Sequence, residues 1–549
     1  MDFNDPSLKM LFTLLPEIVL VAMATWMFIG SAFAKRDSNW LMSAVLGLVT
    51  SGLMLVFLNW GSMNEGQLSG AAPPVASGPV ALDALSVTMR ALALFAGLVL
   101  VTAGAYGGGR RLSGEYLGCL LMTVAGVMLT SGAMDIVLLF LGLELISIPT
   151  YVLLFLGSGS NRQARAAGES TIKYFLLSIV SSGILLYGLT LVYGASGSTS
   201  LPEIAAALNE SQLATSASGG FMLAAAMVLV FAGLCFKIAA VPFHFYAPDV
   251  YQGTTSGNAG VLAVMPKIAG IVALVRVAAV ALPGIEAYGW QLALMVAALT
   301  MTLGNLAALW QNNIRRMLAY SSIAHSGYML IGLVTAFALA QSGEARATGL
   351  ASMLFYLAIY VVATAGTFAV LARLGSRGQE IDDVDQLSGL IKTHPLAAGL
   401  ISVFMFSLTG IPPLAGFWGK LSLFGGLLQA AWAVDEQTRG WLLALAIIGV
   451  LNAAASAGYY LRVVGAVCFR PAAATPVPAS GPRSALFAGA VCGILVLVVG
   501  ILPGTVMKYA RGAGRAAVTT TQMYQPYAND EVQDFESKEP GAAVSLNQR

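Results

Sequence analysis

Residues 236–253, FKIAAVPFHFYAPDVYQG, place a lysine and a histidine inside an otherwise apolar region of the chain. Lys237 stands five residues before Pro242, and His244 follows that proline by two. Proline removes a backbone N–H donor and opens the hydrogen-bonded ladder of a helix. The stretch is therefore predicted to be a break in a helix, with ionisable groups placed beside the break.

The chain as a whole has the composition of a polytopic membrane protein. Of its 549 residues, 57% are hydrophobic and only 10% are charged, and the net charge of +2 is too small to suggest nucleic acid as a partner. Apolar runs of about 20 residues are long enough to cross a hydrocarbon core of roughly 30 Å as helices. The predicted fold class is therefore an all-α bundle of about 14 transmembrane helices. The predicted spans lie near 11–34, 40–60, 82–106, 115–132, 135–157, 169–194, 219–253, 257–282, 289–310, 315–340, 346–374, 395–431, 438–470 and 484–506.

Two of these spans, at 219–253 and 395–431, are far longer than one crossing requires. The first contains Pro242, and the second contains Pro412 and Pro413 within GIPPLAGF. Inside a membrane, a broken helix is tolerated only where protein or water meets the freed backbone groups. Spans 7 and 12 are therefore predicted to be discontinuous helices beside a hydrated interior.

The positions of the two breaks also predict an internal repeat. Spans 4 to 8 and 9 to 13 form two blocks of five, and the fourth helix of each block is the broken one. An odd number of crossings per block places the second copy upside down relative to the first, as in the inverted repeats of secondary transporters. The predicted units are an N-terminal three-helix segment at 1–110, repeats at 111–282 and 283–470, a linker with the last transmembrane helix at 471–506, and a polar, disordered tail at 507–549.

Basic residues predict the orientation of the bundle. One set of alternate loops holds most of them, namely Lys35, Arg36, Arg110, Arg111, Arg162, Arg165, Arg315, Arg316, Arg373, Arg377, Lys392, Arg470 and Arg483. The opposite loops hold only Lys9, Arg346 and Arg439 before the tail. The positive-inside rule then places both termini outside. Three cations just after the last span argue against this orientation, namely Lys508, Arg511 and Arg515.

Five ionisable residues are predicted to lie near the middle of a span or beside a helix break: Glu144, Lys237, Lys267, His325 and Lys420. A lysine left unpaired at the bilayer centre costs about 2.5–3.5 kcal/mol on the insertion scale, so three of them need compensation. One interpretation is that the lysines are structural ion pairs or snorkelling side chains, with Glu144 only a counter-ion. The other is that these groups carry protons. Burial disfavours a charged ammonium, a nearby carboxylate favours it, and histidine titrates near neutral pH.

Other polar residues leave two interpretations open. Lys173 lies near the start of the sixth span and four residues after Glu169, where either a helix-end ion pair or a place in a proton path fits. His244 and His325 are compatible with structural histidines as well as with proton carriers.

Charged and sulfur-containing residues elsewhere predict no further site. Glu17, Asp83 and Arg90 lie toward span ends and are predicted to be interfacial. The four cysteines stand singly in apolar runs without C-x-x-C spacing, so a metal or iron–sulfur site is not predicted. They are Cys119, Cys235, Cys468 and Cys492.

Four stretches together make the chain resemble the subunit N family of bacterial respiratory complex I, the NADH:quinone oxidoreductase. They are FKIAAVPFHFYAPDVYQG at 236–253, IRRMLAYSSIAHSGYML at 314–330, GIPPLAGFWGKLSLF at 410–424 and ELISIPTYVL at 144–153. The related L and M subunits share the broken helices and the lysines, but PDVYQG resembles the N type. The resemblance covers about residues 8–506.

The resemblance implies an antiporter-like proton channel in the membrane arm, within the bacterial inner membrane. Glu144 and Lys237 would form the coupling pair, Lys267 the central relay, and Lys420 the exit-side lysine. Three residues at matching places are weaker members of the pathway, namely Lys173, His244 and His325.

The resemblance also implies what belongs to other chains. Flavin mononucleotide, iron–sulfur clusters and the quinone site are expected in partner subunits, with no cofactor in this chain. The expected partners are the neighbouring antiporter-like and small membrane-arm subunits. Two rival functions share the same features: a subunit of a Mrp-type cation/proton antiporter or related energy-converting complex, and a scaffold that does not pump.

Overall fold

The computed structural model is an almost wholly helical bundle. It describes residues 6–33, 40–59, 75–104, 106–107, 110–111, 113–156, 161–210, 217–277, 286–339, 343–375, 380–472 and 479–519. The N-terminal part consists of helices α1 (Pro6–Thr13), α2 (Leu15–Phe33), α3 (Trp40–Leu58) and α4 (Ala84–Ala103). Two antiparallel hairpins flank α4, and they are formed by β1 (Val75–Ser77) with β2 (Val80–Leu82) and by β3 (Tyr106–Gly107) with β4 (Arg110–Arg111).

The two predicted blocks of five follow in order. The first contains α5 (Gly114–Gly132), α6 (Ile136–Leu156), α7 (Asn161–Ser196), the surface helix α8 (Leu201–Glu210), α9 (Ala217–Lys237), α10 (Tyr246–Gly253) and α11 (Ser256–Arg276). The second contains α12 (Glu286–Leu309), α13 (Ile314–Ala338), α14 (Gly343–Leu374), the short α15 (Leu390–Thr393), α16 (Pro395–Thr409), α17 (Ala415–Ala433) and α18 (Glu436–Phe469). A 3-10 turn, Val384–Leu387, precedes α15, and α19 (Arg483–Ile501) and α20 (504–519) end the described chain.

Helices occupy all fourteen predicted spans. Thirteen of the described helices are long and apolar enough to cross a membrane. The twelfth predicted span is the exception, because it is divided between the 15-residue apolar helix α16 and helix α17, which carries Lys420. The predicted fold class, with discontinuous helices 7 and 12, is confirmed.

The breaks lie at the predicted prolines. In span 7, helix α9 ends at Lys237 and α10 begins at Tyr246, with Pro242 between them. In span 12, α16 ends at Thr409 and is capped by Gly410, whose φ of 94° lies in the left-handed region that favours glycine. Helix α17 then starts two residues after Pro413.

Side chains of the second repeat complete the first break. The backbone N–H of Val241 donates to Thr300 Oγ1 at 3.0 Å, from α12. The carbonyl of Ile238 accepts from Ser326 Oγ at 2.5 Å, from α13. A buried backbone group without a partner costs free energy comparable to a lost hydrogen bond. The second repeat therefore contacts the first at its helix break, where backbone groups lack the hydrogen bonds of a continuous helix.

Each repeat begins with a tightly packed helix pair. In the first, a Cβ added to Gly126 of α5 would lie 3.0 Å from the carbonyl oxygen of Gly142 on α6. In the second, a Cβ added to Gly304 of α12 would lie 2.7 Å from the backbone nitrogen of Ala324 on α13. Small residues are what permit such close approach between membrane helices. The pairs α5–α6 and α12–α13 are thus built alike.

The prediction that Glu17, Asp83 and Arg90 are interfacial is wrong. Arg90 is buried and its Nε lies 2.8 Å from Glu17 Oε1. Asp83 is buried too, and it receives two hydrogen bonds of 2.6 and 2.8 Å from the guanidinium of Arg276. A charge near a span end looks the same in sequence whether it faces lipid headgroups or a partner from a distant helix.

Both buried arginines also contact the C-terminal end of α5. Arg276 Nη2 donates to the carbonyl of Ser131 at 2.8 Å, and Arg90 Nε lies 3.4 Å from the carbonyl of Met128. The last carbonyls of a helix lack helical partners and carry partial negative charge, which favours cations there. These contacts tie α2, α4 and α11 to one end of α5.

The predicted tail begins too early. Residues 504–519 form α20, and its small residues are buried against the bundle, including Ala513 and Ala517. The expectation of a disordered tail from 507 is therefore wrong for 507–519, because alanine and glycine on one helix face allow close packing without large apolar side chains. Residues 520–549, and 473–478 of the predicted linker, lie outside the described residues.

Candidate functional site

The site begins where α9 ends. The ammonium of Lys237 lies 3.2 Å from Glu144 Oε1 and donates to Ser147 Oγ at 2.7 Å, both on α6. Ser182 of α7 completes the cluster with a 2.5 Å hydrogen bond to the same Glu144 oxygen. The lysine side chain is only 3% exposed, whereas that of the glutamate is 21% exposed. A buried ammonium thus has a carboxylate partner, and that carboxylate reaches the surface of the chain.

Lys267 of α11 lies next along the interior and has neutral partners. Its ammonium donates to the carbonyl and the hydroxyl of Ser322, at 2.5 and 2.7 Å, and to Ser326 Oγ at 2.7 Å. The same nitrogen lies 4.9 Å from the centre of the Tyr360 ring, within range of a cation–π contact. These oxygens accept hydrogen bonds from the ammonium but carry no negative charge. The hydrogen-bond partners of Lys267 within the described chain are therefore neutral.

The first two lysines are brought together by close packing of α9 on α11. A Cβ added to Gly270 would lie 3.2 Å from Lys237 Cβ and 2.6 Å from Ile238 Cγ2. Ser326 connects the same two places, because it accepts from Lys267 and donates to the carbonyl of Ile238. The polar interior is therefore continuous across the first helix break.

His325 continues the interior into the second repeat. Its Nδ1 lies 2.7 Å from the hydroxyl of Tyr356, and its Nε2 lies 2.8 Å from the hydroxyl of Tyr460. A neutral imidazole donates through one nitrogen and accepts through the other, while a tyrosine hydroxyl can do either. The Tyr360 hydroxyl, 2.8 Å from Ser322 Oγ, links this group to the partners of Lys267. The arrangement lets hydrogen bonds reverse direction around His325.

Lys420 of α17 lies at the second helix break. Its ammonium donates at 2.8 Å to the carbonyl of Thr409, the last residue of α16. The same nitrogen lies 5.0 Å from the centre of the Tyr328 ring. Tyr328 and Tyr356 contact each other edge to face, with ring centres 6.3 Å apart. The rings of Tyr328 and Tyr356 therefore lie between Lys420 and His325. The ammonium of Lys420 donates to a carbonyl that the helix break leaves without a helical partner.

Known proteins resemble this chain over the region that holds these residues. The family described as NADH:quinone oxidoreductase/Mrp antiporter, TM, matches residues 133–438. The protein named NADH-quinone oxidoreductase subunit N from Trichlorobacter lovleyi is 36% identical over 93% of this chain and 99% of its own length. The chain belongs to the NADH-quinone oxidoreductase subunit N family. Another member, subunit N 1 from Rhizobium meliloti, is 34% identical over 91% of this chain and 97% of its own length.

Solved structures agree with the subunit N family assignment. A chain of respiratory complex I from Thermus thermophilus with bound aureothin matches with a TM-score of 0.71 and 32% identity, covering 90% of this chain and 98% of that one. A chain of the Mrp complex from a Dietzia species matches with a TM-score of 0.77 at 21% identity, covering 94% and 98%. The second likeness shows a shared fold. The chain is thus a multi-pass protein of the bacterial inner membrane.

Two residues of the predicted pathway make none of the hydrogen bonds described above for this subunit N chain. Lys173 pairs with Glu169 at 2.7 Å and with Asp249 at 3.3 Å, and its side chain is 44% exposed. The helix-end pair is therefore present, while a proton-path role stays a prediction. His244 is half-buried within the first break, and its buried Nδ1 has no hydrogen-bond partner among the residues that the structure describes.

Sequence reasoning missed the hydroxyl groups that connect the charged residues in this subunit N chain. Serine and tyrosine are common in membrane helices, and their partners here come from helices dozens of residues away. One signal was available: in YSSIAHSGY, Ser322 and Ser326 are four residues apart and share a helix face near His325. The missed residues are Ser147, Ser182, Ser322, Ser326, Tyr356, Tyr360 and Tyr460.

The polar interior offers no evident metal site. Within the parts of the chain that the structure describes, no group of three or more His, Cys, Asp or Glu side chains could hold a metal ion. The cysteines Cys119, Cys235 and Cys492 are buried.

Proposed function

We propose that this chain is the antiporter-like, proton-translocating subunit N in the membrane arm of an NADH:quinone oxidoreductase. The observation that carries the proposal is the line of polar groups from Glu144 through Lys237, Lys267 and His325 to Lys420, which crosses both helix breaks. Charged residues within membrane helices are costly and mark ion or proton pathways. The named relatives, which share nearly the whole chain, support the same assignment.

The first step belongs to the ion pair. A carboxylate 3.2 Å away favours the charged form of Lys237, while burial disfavours it. Any change that draws the Glu144 carboxylate away from this pair leaves an ammonium in a poorly polar site. The lysine then releases its proton toward the neighbouring hydroxyls. Because Glu144 is partly exposed, a neighbouring membrane-arm subunit is the partner we propose for this control.

In the following steps the proton passes between groups of similar proton affinity. Lys267 has no carboxylate among its hydrogen-bond partners within the described chain, so its proton is bound less firmly than that of Lys237. His325 then accepts the proton on one ring nitrogen and gives one up from the other, and the hydroxyls of Tyr356 and Tyr460 are the groups in contact with these nitrogens. Lys420 takes the proton last, beside the carbonyl freed at Thr409. Redox chemistry belongs, in this proposal, to partner subunits that hold flavin, iron–sulfur clusters and quinone.

The test is NADH-driven proton pumping by the complex in proteoliposomes, with Glu144→Gln as the variant. The amide keeps the shape of the carboxylate but removes its charge. Hydrogen bonds to charged groups contribute about 1.5–3 kcal/mol, so the proton affinity of Lys237 should fall by about tenfold or more. We expect fewer protons pumped per electron, with assembly of the complex preserved. Glu203→Gln, at the exposed Glu203 of α8, is the matched control.

The rival functions give different results in the same experiment. A scaffold would leave the ratio of protons to electrons unchanged in Glu144→Gln. A Mrp-type antiporter would exchange sodium ions and protons without NADH or quinone. Either result would contradict the proposal.

A further inference from the structure

Helix α20 lies just beyond the last membrane span and packs on the start of α14. A Cβ added to Gly514 would lie 2.5 Å from the carbonyl oxygen of Ala347, and one added to Gly343 would lie 3.9 Å from Val518 Cγ1. Arg515 lies 3.6 Å from Glu344. Helix α20 is therefore fixed against the first two turns of α14.

The depth of this contact follows from the length of α14. The helix has 32 residues and is about 48 Å long, against a hydrocarbon core of roughly 30 Å. Its first residues, GEARATGL at 343–350, include two charged side chains, and we therefore place them outside the hydrocarbon. Helix α20 packs against those residues, and it follows α19 after only two residues. It thus lies at the level of the lipid headgroups.

The exposed face of α20 is basic. Lys508, Arg511 and Arg515 are exposed, while Ala513 and Ala517 are buried. At 3.6 residues per turn, the three cations fall within an arc of about 60°. Tyr509 lies about 100° around the helix from Lys508 and is 41% exposed. Aromatic and basic side chains together are characteristic of the membrane interface.

We propose that the basic face of α20 binds the phosphate headgroups of anionic membrane lipids. Juxtamembrane basic residues are attracted to anionic lipid by about 1 kcal/mol each, and the attraction falls off within a Debye length. The basic face of α20 carries three positive charges at the level of the headgroups. Phosphate oxygens can accept hydrogen bonds there from its two guanidinium groups and its ammonium. Glu344, 82% exposed, is the acidic group that faces Arg515 and weakens its share.

The test measures lipid bound to the purified complex that contains this chain. The variants are Lys508→Gln/Arg511→Gln/Arg515→Gln and the charge-preserving Lys508→Arg/Arg511→Lys/Arg515→Lys. Retained phosphatidylglycerol and cardiolipin are counted by mass spectrometry. The rise in melting temperature on adding phosphatidylglycerol is compared with that for phosphatidylcholine. We expect the neutral variant to bind phosphatidylglycerol at least about 30-fold more weakly, with the charge-preserving variant and parent alike.

Three outcomes would overturn the proposal. The first is equal phosphatidylglycerol binding by the parent and the neutral variant at low salt. The second is a response of the parent that does not weaken as salt is raised. The third is loss of a neighbouring subunit from the neutral variant with unchanged lipid content, which would assign α20 to a protein partner.

Discussion

The three buried lysines differ in what surrounds each ammonium. Lys237 has a carboxylate at 3.2 Å, whereas the hydrogen bonds of Lys267 and Lys420 go to hydroxyl and carbonyl oxygens. A carboxylate holds a proton on its lysine more firmly than a neutral oxygen does. In the proposed pathway, Lys237 is therefore the lysine that holds its proton most firmly.

Lys420 provides the sharpest test at this scale. Lys420→Arg preserves the positive charge but does not release a proton in the physiological range. Lys420→Ala removes both the charge and the acceptor. We expect both variants to lower NADH-driven pumping by this chain by about tenfold or more, measured in proteoliposomes at equal amounts of assembled complex.

The controls for this prediction are Lys392→Arg and Lys392→Ala, at an exposed lysine of α15. They should pump like the parent. Normal pumping by Lys420→Arg together with loss in Lys420→Ala would make Lys420 an electrostatic anchor, and the exit would have to lie elsewhere.

Among the elements, the broken helices were predictable and their completion was not. An apolar run of 35 residues containing a proline is visible in the sequence, because its length exceeds one crossing. That Val241 N–H is bonded by Thr300, or that Ile238 carbonyl is bonded by Ser326, depends on packing between repeats and leaves no local signal. The same holds for Arg276, whose partner Asp83 is 193 residues away.

The inter-repeat hydrogen bond at the first break gives a prediction about stability. Thr300→Val keeps the shape of the side chain but leaves the buried N–H of Val241 without its acceptor. Leaving a buried donor unsatisfied costs about 1–3 kcal/mol. We expect a lower melting temperature for the purified complex. Unfolding is measured by the fluorescence of a thiol-reactive dye.

The matched control is Thr190→Val, at an exposed threonine whose hydroxyl bonds within its own helix to the carbonyl of Leu186. It should leave the melting temperature unchanged to within the error of the measurement. Equal melting curves for the two variants would show that Thr300 does not stabilise the break.

Across the bundle, most ion pairs with exposed side chains lie on the side predicted to be cytoplasmic. Asp249 contacts both Lys173 and Arg316, and Arg315 pairs with Asp382. The loop that holds Asp382 follows the end of α14, whereas α20 packs on its beginning. The basic face of α20 therefore lies on the opposite side of the membrane, where headgroup binding accounts for its charge without reversing the orientation.

Cysteine labelling tests this orientation directly. A cysteine introduced in the 61–80 loop should react with an impermeant thiol reagent from the periplasm, and one introduced at 158–168 should not. A chain with Cys468→Ser supplies the background, because Cys468 is half-buried whereas Cys119, Cys235 and Cys492 are buried. The reverse labelling pattern would place both termini inside and make the basic residues after the last span the better guide.

The hydrogen bonds from Thr300 and Ser326 to the first break also constrain the order of events during synthesis. A ribosome adding about 5–20 residues per second takes about 4–17 s to proceed from Val241 to Ser326. Until Thr300 and Ser326 have been added, a backbone donor and a carbonyl of the first break lack their side-chain partners. A truncated product ending after α11 would keep both groups without these partners, so we expect membrane proteases to degrade it faster than the full chain.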